Sequence, residues 1–237
     1  MKRFVLAFML AWPIVGLALP AIAQSPALTA AFRQYKALEA QGKYAQAEVF
    51  ATKALALGKA EFGPDHRTHA TLLNNLALLY RAQGRAGEAK TLYKRALAIV
   101  EKALGPNHPI VATSLNNLSE LYRIQGRIDE TEPIQKRALA VQIKALGPDH
   151  PEVATSLNDL ALLYRAQGRD GEAEPLYRRA LAILEKTFGP EHPNIVKLLG
   201  NQARLLRKRG RVAEAGKMEQ RAKRILENHP EWGGKQQ

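Results

Sequence analysis

The stretch LNNLALLYRAQGR, Leu73–Arg85, is written again as LNNLSELYRIQGR at Leu115–Arg127 and as LNDLALLYRAQGR at Leu157–Arg169. The step is 42 residues each time, and a degraded copy, LGNQARLLRKRGR, follows one step later at Leu199–Arg211. A second landmark keeps the same beat: Phe62-Gly-Pro-Asp-His66, Leu104-Gly-Pro-Asn-His108, Leu146-Gly-Pro-Asp-His150 and Phe188-Gly-Pro-Glu-His192. Self-similarity at a fixed period of roughly 20–50 residues marks an array in which each unit touches its neighbours. Such a chain needs no central core, so its 237 residues escape the usual estimate of one or two globular domains.

Within one period the apolar residues fall at helical spacing. Leu73, Leu76, Ala77 and Tyr80 lie at i, i+3, i+4 and i+7, and so share one face of a first helix. Ala89, Tyr93, Ala96 and Leu97 make the matching stripe on a second helix. Gly84 and the Gly-Pro pairs end helices, because glycine admits the left-handed turn and proline cannot continue one. Asn107 or His108 is placed to cap the next helix, with Pro109 in its first turn. The pattern predicts ten helices, near 27–41, 44–60, 66–82, 86–103, 109–125, 128–145, 151–167, 170–187, 193–209 and 212–227, and no strand.

Leu73, Leu76, Ala77, Tyr80, Ala89, Tyr93 and Ala96 fall where tetratricopeptide repeats carry their consensus residues. The chain resembles that family over about residues 65–227, with a weaker match from residue 27. Its 42-residue period and Gly-Pro-Asp-His linker are similar to the longer, kinesin-light-chain-like subtype, also found in bacterial exported proteins. The resemblance implies an all-α, right-handed superhelical solenoid of about five helix pairs, with a concave groove that holds a peptide or protein. In this reading residues 24–64 are an N-terminal capping pair and 65–190 hold three full repeats. Residues 191–227 are a C-terminal capping repeat and 228–237 a disordered tail.

The repeats are not perfect copies. Thr131 and Gln135 stand where the other units carry alanine and tyrosine, which predicts looser packing there. Pro133 and Pro175 lie in the first two turns of second helices, opposite the packing stripe, so a mild bend is expected without a break. The last unit has Gln202, Leu206 and Glu219 in place of leucine, tyrosine and an aromatic residue, as a terminal cap would.

Ahead of the repeats, Met1-Lys-Arg3 is followed by the uncharged run Phe4–Leu19 and by Ala21-Ile-Ala23. That order of charge, apolar run and small residues is a secretory leader, residues 1–23, cleaved before Gln24. The other reading is a retained membrane anchor, against which stand the short run and Pro13 and Pro20. Export places the mature chain in the periplasm or outside the cell and argues against a nucleic-acid partner, which a net charge of +13 would otherwise suggest.

Catalytic constellations are missing. With no cysteine there is no thiol nucleophile, disulfide or cysteine zinc site. No HExxH, phosphate-cradling glycine loop or nucleophile elbow occurs either, so neither an enzyme nor a cofactor is expected. His66, His108, His150 and His192 recur, but equivalent residues of stacked helices stand about 8–10 Å apart. One metal ion needs its ligands within about 2 Å, so these histidines are read as helix caps and no metal site is expected.

The face of each first helix that packing leaves free carries the remaining signal. It runs Asn74 and Arg81, then Asn116 and Arg123, then Asn158 and Arg165, and in the last unit Arg207. Asn75, Asn117, Asp159 and Asn201 flank it. Asparagine offers a donor and an acceptor to an extended backbone, and arginine a planar fork for carboxylates. These eleven residues are the candidate peptide groove, for a partner with acidic residues; the bland alternative is a solvated surface copied by duplication. The C-terminal end is strongly basic, with Lys197, Arg204, Arg207, Lys208, Arg209 and Arg211 among its cations. It is either a solvated end-cap or a docking surface for anionic membrane or glycan in the cell envelope.

Overall fold

The computed structural model describes residues 25–233, and among these every regular element is helical. Ten long helices follow one another: α1 Pro26–Ala40, α2 Tyr44–Phe62, α3 Arg67–Ala82, α4 Ala86–Leu104, α5 Pro109–Ile124, α6 Ile128–Leu146, α7 Pro151–Ala166, α8 Asp170–Phe188, α9 Val196–Lys208 and α10 Val212–Asn228. A single 3-10 turn, Pro193–Ile195, leads into α9 where the sequence pattern predicts the first turn of the helix itself. A short helix α11, Pro230–Gly233, forms within the stretch read as a disordered tail, and its Trp232 meets the His192 ring edge-on at 6.1 Å. The leader expected at residues 1–23 lies outside the described residues. Among the described residues no helix is long and apolar enough to cross a membrane.

Each boundary has a local cause. His66, His108, His150 and His192 sit just before a helix, and the Nδ1 of each accepts the backbone N–H two residues on, at 3.1–3.2 Å. The imidazole is thus the N-cap acceptor, and Asn107 is not. At the other end of the first helices the glycine of Gln-Gly-Arg takes a positive φ, +76° at Gly84. That turn lets the N–H of Arg85 donate to the Tyr80 carbonyl at 2.8 Å, and Arg169 does the same to Tyr164 at 2.8 Å. Helices α6 and α8 run through Pro133 and Pro175 without interruption, although each proline is the sixth residue of its helix and leaves the carbonyl four residues back, Asp129 or Gly171, without its i→i−4 donor.

The chain divides into two compact units, one ending at Ala103 and one starting at Leu104. In the first, α1 packs on α2 and α2 on α3. Tyr35, Ala47, Ala51, Leu76 and Leu79 form one buried cluster, and Leu28, Ala31, Ala54 and Leu72 another. Helices α2 and α3 approach so closely at Gly58 that a Cβ there would stand 2.4 Å from a Leu72 methyl. In the second unit each helix from α5 to α10 packs on the next. Its core holds Leu157, Leu160, Ala161, Tyr177, Ala180, Leu199 and Leu205. Most of the expected stripes are buried: Leu73, Leu76, Ala77, Ala89, Tyr93 and Ala96 are sealed from solvent, whereas Tyr80 and Leu97 at the ends of the stripes are half-exposed. In α6 the substituted positions bring polar atoms into the buried layer. Thr131 is fully buried and returns its hydroxyl to the Arg127 carbonyl at 2.9 Å, while a buried Gln135 oxygen finds no partner.

A recurrent side-chain staple joins consecutive pairs. The arginine that ends each Gln-Gly-Arg turn lies over the tyrosine five residues back, 3.9 Å for Arg85 over Tyr80 and 4.1 Å for Arg169 over Tyr164. The same guanidinium reaches a glutamate on the preceding second helix: Arg85 to Glu48 at 2.7 Å, Arg169 to Glu132 at 2.5 Å and Arg211 to Glu174 at 2.7 Å. It also holds the glutamate at the start of its own second helix, Glu88, Glu172 or Glu214. One planar fork thus ties three elements, which a lysine could not do.

Candidate functional site

The residues singled out on the first helices divide by burial. In the first unit Asn74 and Asn75 are 1% exposed, not free-facing as their spacing suggests. Both amide atoms of Asn75 are buried without a hydrogen-bond partner, and Arg81 beside them is half-buried. In the second unit Asn158 and Asn201 are also buried, whereas Asn116, Asn117 and Arg165 are half-exposed and Arg123 and Arg207 exposed. A 42-residue helical repeat places asparagine at the edge of the contact between successive first helices, and a short side chain at that edge is covered by its neighbours.

What the second unit does bring together is a polar network. Arg204 donates to Asn201 Oδ1 at 2.7 Å, and Asn201 Nδ2 donates to Asn158 Oδ1 at 2.8 Å. Asn158 Nδ2 in turn donates to Asp159 Oδ1 at 3.4 Å. The direction is forced. Arginine has no acceptor, so Asn201 must present its oxygen to Arg204 and its nitrogen to Asn158. Asp159 stands where the other units carry Asn75, Asn117 and Asn201. Asp159 is half-exposed, and the desolvation of its carboxyl by its neighbours, with some help from the charge of Glu120, pushes it up to about 7, against the opposing pull of Lys197, the Asn158 amide and Arg123.

The arginines differ in availability. Arg123 grips Glu120 in a two-pronged pair at 2.6 and 2.7 Å on its own helix, and Arg207 does likewise with Glu219 on α10. Arg165 makes no ion pair among the described residues. Arg204, absent from the predicted set, is the residue that orients the network. The 42-residue register does place it on the same free stripe, but the earlier repeats carry Leu78, Glu120 and Leu162 there, so no repeated arginine singles it out. The staple glutamates were findable: Glu132 and Glu174 repeat at one step and Glu48 at two steps before Glu132.

The basic C-terminal cations are mostly engaged inside the molecule. Lys208 pairs with Asp170 at 2.9 Å, Arg221 with Glu185 at 2.6 Å and Arg224 with Glu191 at 3.0 Å. Arg209 and Arg211 both hold Glu174, a buried carboxylate.

The family model of the tetratricopeptide repeat matches residues 36–102, 68–130, 111–186 and 167–228. Among solved structures the chain is similar to a putative kinesin light chain with nearly identical repeats from Podosopora anserina, at 26% identity and a TM-score of 0.74, covering 85% of this chain and 96% of that one. BtubC (BKLC) from P. vanneervenii is alike in fold at 22% identity and a TM-score of 0.74, over 85% and 90% of the two chains. PilF of Pseudomonas aeruginosa is alike in fold at 20% and 0.61, over 84% and 76%. Comparison with curated sequences finds no significant match. With helix pairs, consensus core and matched model agreeing, the chain belongs to the tetratricopeptide repeat family.

Proposed function

We propose that this protein is a scaffold that holds an extended or partly helical, acid-bearing segment of a partner protein along the first helices α5, α7 and α9. Tetratricopeptide repeats are generally non-catalytic protein–protein interaction modules. The observation that carries the finer reading is Arg165 of α7, a half-exposed guanidinium in no ion pair among the described residues, with the half-exposed Asn116 on the preceding first helix, α5. Arginine in that state offers its fork to a carboxylate, and the Asn116 amide offers both senses of hydrogen bond to a backbone. An extended segment rises about 3.3 Å per residue, so a repeat step near 10 Å suits one grip for roughly every three residues. The internal pairing of the terminal cations favours this face over an electrostatic dock on anionic envelope surfaces.

The test is selection of twelve-residue peptides from a random display library on the immobilised chain. Acid-rich sequences should be enriched, and Arg165→Glu should lose them roughly tenfold, less so in high salt. No enrichment, or equal binding by the variant, overturns the reading. We further propose that the chain is exported and cleaved before Gln24. Mass spectrometry of the native N-terminus decides it, an intact Met1 terminus on a membrane-bound protein meaning a retained anchor.

A further inference from the structure

On the reading of the first-helix face as a partner site, we propose that Asp159 is a proton-operated latch that keeps this face closed to acidic segments when ionised and opens it when neutral. The geometry is a line of hydrogen bonds with a cation at one end and a carboxyl at the other: Arg204, Asn201, Asn158, Asp159. While Asp159 is charged, it draws the Asn158 amide nitrogen toward itself. Asn158 then keeps its oxygen on Asn201 and Asn201 its oxygen on Arg204, so the exposed guanidinium at the end of the line is held on the molecule and not offered to a partner's carboxylate. At 3.4 Å this is the longest and weakest link of the line, and so the one most dependent on the carboxylate's charge.

The surroundings make the ionised form costly. Facing Asp159 are Glu120 and Arg123 from α5 and Lys197 from α9, with Tyr177 from α8 also feeling its charge. Arg123 is largely neutralised by its bidentate grip on Glu120, so Lys197 is the main opposing cation. The carboxyl's raised titration, to about 7, follows from that placement. Protonation removes one negative charge from the face and ends the pull on Asn158, and both changes favour an acidic segment. The other repeats carry asparagine here, so the amide form of this side chain is compatible with the fold.

Binding and protonation are then linked: an acidic segment settling on the face must raise the Asp159 proton affinity further, and so takes up a proton near neutral pH. Histidine-free peptides selected from the same library at pH 5.5 are titrated by calorimetry at pH 5.5 and pH 8, in buffers of different ionisation enthalpy. The wild type should bind about tenfold more weakly at pH 8 and take up protons near pH 7. Asp159→Asn, its folding checked by thermal melting, should bind at pH 8 within about twofold of its strength at pH 5.5, with no uptake. Equal wild-type affinity at the two pH values, or a pH dependence that survives in Asp159→Asn, overturns the latch while leaving the partner face standing. Failure to select any peptide at either pH removes that face and the latch together.

Discussion

The guanidinium of Arg169 reaches Glu132 on the preceding second helix at 2.5 Å while lying over the ring of its own Tyr164. Hydrogen bonding from Arg169, then from Lys136, holds the Glu132 carboxyl down at about 2. A depressed carboxylate stabilises the fold at pH above its unfolded value, 4.5, and that contribution is lost as pH falls toward 2. Glu132→Gln should therefore cost about 1 kcal/mol in urea denaturation at pH 7. The difference from wild type should fade in the acid range. A constant difference between pH 7 and pH 2.5 would show that the packing of Glu132 matters and its charge does not.

His69 is buried in α3 with neither ring nitrogen hydrogen-bonded. The equivalent positions one, two and three steps on are Val111, Val153 and Ile195, all fully buried. Burial, helped by Arg95 and Lys59, lowers the imidazole's proton affinity from its ordinary 6.5. The unfolded chain then takes the proton first, so stability is present above pH 6.5 and is lost as pH falls below it. His69→Val should stabilise by about 1–2 kcal/mol at pH 7 and by more at pH 5.5. Thermal melts at the two values check this.

Ser119 occupies the register of Ala77, Ala161 and Ala203, and its buried hydroxyl has no partner. Ser119→Ala should raise stability by about 1 kcal/mol and Ala161→Ser lower it by a similar amount. Equal and opposite shifts in the denaturation midpoint are the expected result. A stable Ala161→Ser would mean that the helix carbonyl one turn back takes up the hydroxyl.

Asn158→Ala and Asn116→Ala should part company. The first leaves Asn201 Nδ2 buried without its acceptor, at a cost of about 1–2 kcal/mol, whereas the half-exposed Asn116 should cost less than about 0.5 kcal/mol. Chemical denaturation separates the two. For peptide binding, Arg165→Glu should be more harmful than the replacement of the already paired Arg123 by alanine.

The helix order could be read from sequence because periodic apolar spacing, Gly-Pro breaks and histidine caps all act within a few residues of one another. Burial of the asparagine row could not. Whether Asn158 faces solvent depends on how near α9 lies, and that distance is set by residues about one 42-residue period away. The titration of Asp159 is hidden for the same reason: its neighbours Glu120, Arg123 and Lys197 come from two other helices. The arginine staple lay in between, visible as a repeated glutamate but meaningful only when the offset of 37 residues proved to be a contact.

That offset gives the molecule a temporal order as well as a spatial one. Synthesis produces Glu132 and Glu174 before Arg169 and Arg211, each arginine following its carboxylate by 37 residues. A growing chain therefore presents, at its newest end, a second helix whose carboxylate awaits a cation not yet made. A chain shortened from the C-terminal side loses Arg209 and Arg211 and leaves Glu174 with only Arg178 of its own helix, whereas shortening from the other side strands only arginines that can turn to water. Ragged ends are thus tolerated at the start of the array and penalised at its finish, and protease trimming of partly made chains should eat inward from the C-terminus.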